Sequence, residues 1–306
     1  MLNFLPSFLL ACISVALLVV NILFWVPILL AFALVRLLLP FRFVRLVIDP
    51  IALCIAESWI SCNSGWMRLT QKLDWDVEGI DALDARSWYL VNSNHQSWVD
   101  IFVLQHLLNR KIPLLKFFIK QELIWVPVMG LAWWALDFPF MRRHSEEYLR
   151  KHPEMRERDR DTTRKACEKF ALIPTSVMNF LEGTRFTKAK HAKQQSPYQY
   201  LLKPKAGGIA LALDALGSKF DSILDVTIVY PQGIPTFMDF MAGRVEGVVV
   251  RVRKVPVPRH LLGGNYGEDP AFRKAFSEWV QHLWREKDAQ IGQLLSHSDT
   301  GHTKGT

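Results

Sequence analysis

The chain is poor in cysteine, with four in 306 residues. Cys12, Cys54, Cys62 and Cys167 show no CxxC and no paired spacing, so neither a disulfide framework nor a zinc site is indicated. A reduced, cytoplasm-facing setting fits that usage. The sequence also lacks a GxSxG elbow, a P-loop and any internal repeat, which removes the serine-elbow hydrolases, the P-loop nucleotide enzymes and the solenoids. Acidic residues are missing altogether from Phe4 to Pro40, and the first base in that stretch is Arg36.

What fills Phe4 to Pro40 is apolar. As one helix it would run to about 55 Å, beyond a hydrocarbon core of roughly 30 Å. Pro27 is expected to divide it into a long piece and a shorter one. That permits either one tilted span or a hairpin entering and leaving by the same face. A cleaved signal peptide does not fit, because no basic region leads the run and no small-residue site closes it. Arg36, Arg42 and Arg45 follow, which by charge bias places the remainder on the cytoplasmic side. Phe41 to Met67 stays rich in apolar and aromatic residues and reads as an interfacial continuation. Residues 1–67 are therefore expected to form a membrane anchor. The net charge of +8 asks for an anionic partner, nucleic acid or an anionic membrane surface.

From about Leu73 the pattern becomes that of a folded α/β domain, expected over 68–295 with a polar tail at 296–306. Apolar runs at Trp88–Val91, Leu114–Ile119, Trp134–Phe140, Ser176–Leu181, Ile223–Tyr230 and Gly247–Val255 predict strands. Helical stretches such as Ile101–Leu108 and Gly207–Leu216 lie between them. The alternation predicts a mostly parallel sheet flanked by helices, with chemistry at the carboxyl ends of strands. Near the C-terminus, Phe272, Phe276, Trp279, Val280, Leu283 and Ile291 make an apolar stripe suited to packing on the domain. The two histidines of the tail do not make a metal site.

Two segments carry chemistry. In Trp88–Asp100, a buried run breaks into Asn92-Ser93-Asn94 and delivers His95, with Asp100 five positions on. On a regular helix those two side chains would point about 140° apart. They meet only if His95 sits on the strand-to-helix turn ahead of the helix that carries Asp100, with Asn94 or Ser97 as the cap. A carboxylate on one imidazole nitrogen leaves the other free to accept a proton, as a general base requires. The second segment is Phe180-Leu181-Glu182-Gly183-Thr184-Arg185. Gly183 lets backbone approach a ligand closely, and Arg185 offers a planar fork for phosphate. Glu182 is expected to hold that guanidinium or a glycerol hydroxyl.

Together the two segments resemble the glycerolipid acyltransferases, which include the enzymes that acylate 1-acylglycerol-3-phosphate. Asn94, His95 and Asp100 match that family's N-H-x-x-x-x-D. Phe180 to Arg185 match its F-P-E-G-T-R with Leu181 in place of proline. The resemblance covers roughly residues 85–235, and the stretch from Glu182 to Gly208 is most similar to the lysocardiolipin and long-chain lysophosphatidate branch. It implies catalytic His95 and Asp100, and substrate contacts at Asn94, Arg142, Glu182, Gly183, Thr184, Arg185 and Lys205. Arg142 follows Phe138-Pro139-Phe140-Met141, where Pro139 suggests an edge strand. Lys205 precedes a glycine pair and an apolar helix, a setting that favours anions. Val226 to Pro231 stands where the family's last motif lies.

The implied reaction is direct acyl transfer from acyl-CoA or acyl-ACP to 1-acyl-sn-glycerol-3-phosphate, giving phosphatidate, with no metal and no cofactor beyond the thioester co-substrate. A lysophospholipid-remodelling acyltransferase and a non-catalytic binder of anionic lipid are the alternatives. The implied partners are the phospholipid bilayer, the lysolipid acceptor and acyl-CoA or acyl carrier protein, without nucleic acid. The implied location is the inner membrane, with the catalytic domain facing the cytoplasm. The apolar residues around Trp125 and Trp133-Trp134 are candidates for guiding the acyl chain.

Overall fold

The computed structural model describes residues 1–141, 173–217, 219, 220 and 222–302. Two long helices lead, α1 (Ser7–Leu38) and α2 (Arg42–Thr70). They lie antiparallel, because Leu2 bonds to Leu69, Asn21 to Asn63, Trp25 to Cys62 and Arg36 to Asp49. Pro27 does not divide α1, which runs through it unbroken. A proline inside a helix forfeits one backbone bond, and here Val26 and Leu29 on either side are buried in a cluster with Ala52, Ile55, Ala56 and Ile60 of α2. Packing against α2 carries the helix across the break.

The domain is built on a six-stranded sheet. Its strands are β1 (Asp74–Glu78), β2 (Tyr89–Ser93), β3 (Leu115–Phe117), β6 (Ser176–Phe180), β7 (Ser222–Val229) and β8 (Gly247–Val255), in the order β1-β8-β7-β2-β6-β3. Every neighbouring pair is parallel except β7 with β8, so the sheet is mostly parallel, as expected. Central strands are buried on both faces, which is why β2 and β7 read as continuous apolar runs. Edge strand β1 alternates exposed and half-buried positions in Asp-Trp-Asp-Val-Glu, too polar a pattern to stand out as a strand. On one face lie α3 (Val99–Leu108) and parts of the hairpin, among them Ala11, Trp66 and Met67. The other face carries the helix Ala206–Leu216 (α6) and the C-terminal helix Pro270–His302 (α8).

Three expectations need correction. Trp134–Phe140 is not a strand: Met129–Ala135 is a helix (α4) whose Ala132 and Ala135 pack under the hairpin. Only Phe140–Met141 (β5) is extended, and it pairs with Ile119–Lys120 (β4) in a separate two-stranded piece. The run Leu114–Ile119 is thus shared between two sheets. The polar tail is not loose from Ser296, because α8 continues to His302, with Ser296 Oγ and His297 Nδ1 both returning to the carbonyl of Gln293. The anchor is also not separable at residue 67, since α2 ends at Thr70 and its last turns belong to the domain core. The C-terminal stripe packs as read, with Phe276, Val280 and Ile291 buried against α6 and the sheet.

Candidate active site

Strand β2 ends at Ser93, and the chain then turns sharply before α3 begins at Val99. Asn94 makes that turn possible. Its fully buried amide donates from Nδ2 to the carbonyl of Ile228 at 2.8 Å and accepts at Oδ1 from the amide of Ile228 at 2.9 Å, lashing the turn to β7. Both its polar atoms are engaged by the backbone of Ile228, so Asn94 serves as a scaffold of the turn. Neither Asn94 nor Ser97 caps α3, whose N-cap is Trp98 without a side-chain bond; Ser97 Oγ accepts from the amide of Val99 at 3.2 Å and donates to the carbonyl of Pro235 at 2.7 Å.

On this turn His95 meets Asp100. The Nδ1–H of His95 lies 2.9 Å from Oδ2 of Asp100. The same oxygen accepts the amides of Gln96 at 2.6 Å and Ser97 at 2.9 Å, while Oδ1 accepts the hydroxyl of Tyr230 at 2.6 Å. A fully buried carboxylate with four donors is held in one orientation. His95 is itself only 9% exposed. Its ring stacks on Phe180 at 3.8 Å between centroids, and its carbonyl accepts the amide of Phe186 at 2.7 Å. Nδ1 is committed to Asp100, which leaves Nε2 as the nitrogen able to take a proton.

Glu182 follows β6 and is fully buried. Its Oε1 accepts the backbone amide of His95 at 3.1 Å, and its Oε2 that of Leu202 at 3.3 Å. Among the described residues its two oxygens face backbone amides and no guanidinium. That burial pushes its carboxyl up to about 8, against the pull of the two amides. Gly183 takes φ +66°, a left-handed conformation that glycine adopts freely, and a β-carbon there would meet Cδ of Lys205 at 3.1 Å. The aliphatic stem of Lys205 therefore lies across Gly183, with its backbone amide on the carbonyl of Leu181 at 2.7 Å.

Arg185 is exposed, and its guanidinium carbon sits 4.6 Å from the centre of the Trp98 ring. Stacking of this kind orients the fork without using its N–H groups. Thr184 and the carbonyl of Arg185 both receive the ammonium of Lys190, at 2.7 and 3.0 Å. Lys190 belongs to no motif, and Tyr230, although within the Val226–Pro231 stretch that stands where the family's last motif lies, has nothing local that ties it to Asp100. Arg142 lies outside the described residues. Among the described residues, no three His, Cys, Asp or Glu side chains gather as a metal set. An open pocket of about 370 Å³ adjoins the turn, with Gln96, Phe186, Lys188, His191 and Tyr230 in its wall.

An α/β sheet that presents an oriented imidazole at a strand end, with exposed cations one loop away, suits a group-transfer enzyme that works with a base of its own. Residues 74–231 match the family described as Acyltransferase, just over half of the chain. The chain belongs to that family and is an O-acyltransferase. It is similar to 1-acyl-sn-glycerol-3-phosphate acyltransferase gamma of Mus musculus, 27% identical over 83% of this chain and 72% of that protein. Lysocardiolipin acyltransferase 1 of Danio rerio is also 27% identical, over 58% of this chain and 44% of its own. The crystal structure of the 1-acyl-sn-glycerophosphate acyltransferase PlsC from Thermotoga maritima superposes with a TM-score of 0.52, covering 90% of this chain and 95% of that one. At 20% identity that likeness establishes the fold.

Proposed function

We propose that the protein transfers a fatty acyl group from an acyl thioester, acyl-CoA or acyl-ACP, to the free hydroxyl of 1-acyl-sn-glycerol-3-phosphate, making phosphatidate. The observation that carries this reading is the 2.9 Å pair of His95 and Asp100 at a strand end beside exposed Arg185 and Lys205. Nε2 of His95 takes the proton of the acceptor hydroxyl as its oxygen attacks the thioester carbonyl. The buried charge of Asp100 stabilises the imidazolium that forms. The C–S bond breaks, and the leaving thiolate takes the proton back. Arg185, held on Trp98, and Lys205, held across Gly183, bind the acceptor phosphate and so keep its hydroxyl beside the base.

The anchor supports a lipid acceptor. Helix α1 is long and apolar enough to cross a membrane, yet Leu2 is bonded to the end of α2 and Leu10, Ala11 and Ser14 are buried in the molecule. Both ends of the hairpin lie at the domain. We therefore read the hairpin as entering one leaflet from the cytoplasmic face, not as a crossing. Its outer face exposes Phe8, Val20, Leu23 and Phe24, and Trp125, at 84% exposure, with Leu131 and Trp134, adds to that apolar surface.

The test is an acceptor panel: full-length protein in vesicles, labelled oleoyl-CoA, and lysolipids with and without a head group on the phosphate. Preference for 1-oleoyl-glycerol-3-phosphate is the expected result. Preference for head-group lysolipids would make the protein a remodelling enzyme, and no product from any acceptor would overturn the assignment.

A further inference from the structure

The sheet brings a third group to the His95–Asp100 pair. Tyr230 closes β7, follows Val229 with 4% exposure, and donates its hydroxyl to Oδ1 of Asp100 at 2.6 Å, across 130 residues of sequence. Oδ2 is occupied by His95 and the two turn amides, so Tyr230 supplies the donor for the other oxygen. The two sides of the carboxylate are thereby distinguished. One set of donors belongs to the turn and moves with it; the tyrosine belongs to the central sheet. Ile228, two residues before it, is the residue that Asn94 grips, which fixes the end of β7 and the turn to each other at two points.

We propose that Tyr230 is a positioning residue of the acyl transfer, whose phenol O–H fixes the plane and charge of Asp100 so that Oδ2 stays on Nδ1 of His95. This rests on the reading of His95 as the base. A hydrogen bond into a carboxylate draws negative charge toward its donor. Without the phenol, more of that charge faces the imidazole, which then holds its proton more tightly and is a base over a narrower range of pH. The carboxylate is also left with a buried oxygen lacking its donor, free to swing from the ring. The titratable groups around Asp100 are His95 on its own turn, Tyr230 from β7 and Glu182 from the loop after β6, with Lys287 of α8 acting on Glu182 from behind.

Tyr230→Phe keeps the ring and removes the donor. In full-length protein assayed with 1-oleoyl-glycerol-3-phosphate and oleoyl-CoA, kcat should fall about tenfold or more, the loss a charge-assisted hydrogen bond supports. KM for both substrates should stay within about twofold, and the ascending limb of the pH–activity profile should move to higher pH. Replacing Tyr230 with 3-fluorotyrosine strengthens the donor at nearly constant volume and should move that limb to lower pH. The fluorinated protein decides the matter if Tyr230→Phe does not fold. A merely structural tyrosine would lower the melting temperature and kcat while leaving the limb in place in both proteins, and that result overturns the proposal, as does wild-type kinetics in Tyr230→Phe. The control His95→Ala separates the two levels: full activity there would sink the general-base reading itself.

Discussion

Oε1 of Glu182 lies 3.1 Å from the backbone nitrogen of His95, 87 residues upstream, and Oε2 lies 3.3 Å from that of Leu202. The signature acid of the second motif thus braces the first motif, and the two segments form one object. The brace is sensitive to pH. Burial raises the carboxyl from 4.5 to about 8, so between those values the folded chain keeps a proton that the unfolded chain releases. For this group stability should therefore be fully present below pH 4.5 and should be lost as pH rises through about 8, by up to a few kcal/mol. Glu182→Gln retains an oxygen for the amide of His95 and removes the titration. Melting curves between pH 5 and 8.5 should show the slope in the natural protein and a flatter one in the variant. An unchanged slope would assign the effect to another group.

Removing the imidazole should cost far more activity than stability. His95→Ala should lose about 10²- to 10⁴-fold in turnover, with a modest drop in melting temperature for the lost stacking on Phe180. Asp100→Asn is a harsher change than its size suggests. An amide nitrogen placed where three donors or the Tyr230 hydroxyl converge leaves buried N–H groups facing one another, at about 1–3 kcal/mol each. Turnover and melting temperature should fall together. A stable, fully active Asp100→Asn would show that the pair does not act as a unit.

At Arg185 the expected defect is selective. Arg185→Ala should raise KM for the phosphate acceptor about tenfold to a hundredfold, from roughly 1.5–3 kcal/mol of charge-assisted bonding, with KM for the thioester donor nearly constant. Lysine should restore little, having no planar fork. Trp98→Ala should give a smaller rise in the same constant, because it removes only the surface on which the guanidinium rests. Steady-state kinetics with each substrate varied in turn will separate these effects. A donor-selective defect would remove Arg185 from the acceptor site.

The outer face of the hairpin predicts how the protein meets lipid. Phe24→Asp together with Trp125→Asp should reduce co-sedimentation with anionic vesicles several-fold and leave the melting temperature in detergent unchanged, since both side chains are exposed. Deleting residues up to Pro40 is a poorer test than the sequence suggests, because Leu10, Ala11, Val26 and Leu29 would leave buried faces open. If the double variant still sediments fully, the bilayer is met elsewhere.

Legibility in the sequence followed the range of each interaction. The strand-turn-helix around His95 was readable because five-residue spacing restricts where two side chains can meet. The central strands were readable because burial on both faces leaves uninterrupted apolar runs, as in Ile223–Val229. β1 is a polar edge without a strand signal, and Trp134–Ala135 reads as strand although its apolar residues serve a contact with the hairpin instead of a sheet. An acid beside Gly-Thr-Arg reads as accessible, whereas the fold sets the amides of His95 and Leu202 on the two oxygens of Glu182. The pairings of Tyr230 with Asp100 and of Lys287 with Asp225 give no local signal, because the partners lie 130 and 62 residues apart in sequence.

Strand β1, residues 74–78, has β8, residues 247–255, as its sheet neighbour. During synthesis the first strand of the domain must therefore wait while about 170 further residues emerge before it has anything to pair with. The hairpin, made earlier, needs no such wait and can reach lipid while the domain is still incomplete. Asp225 of the central strand meets Arg253 when β8 pairs, at 3.0 Å, and gains its second cation, the buried ammonium of Lys287 at 2.9 Å, only when the final helix arrives. Order of manufacture thus puts the hairpin first and catalytic competence last, and any ribosome stalled between residues 70 and 247 would leave a chain with an unpaired strand, a natural object for the cell's proteases.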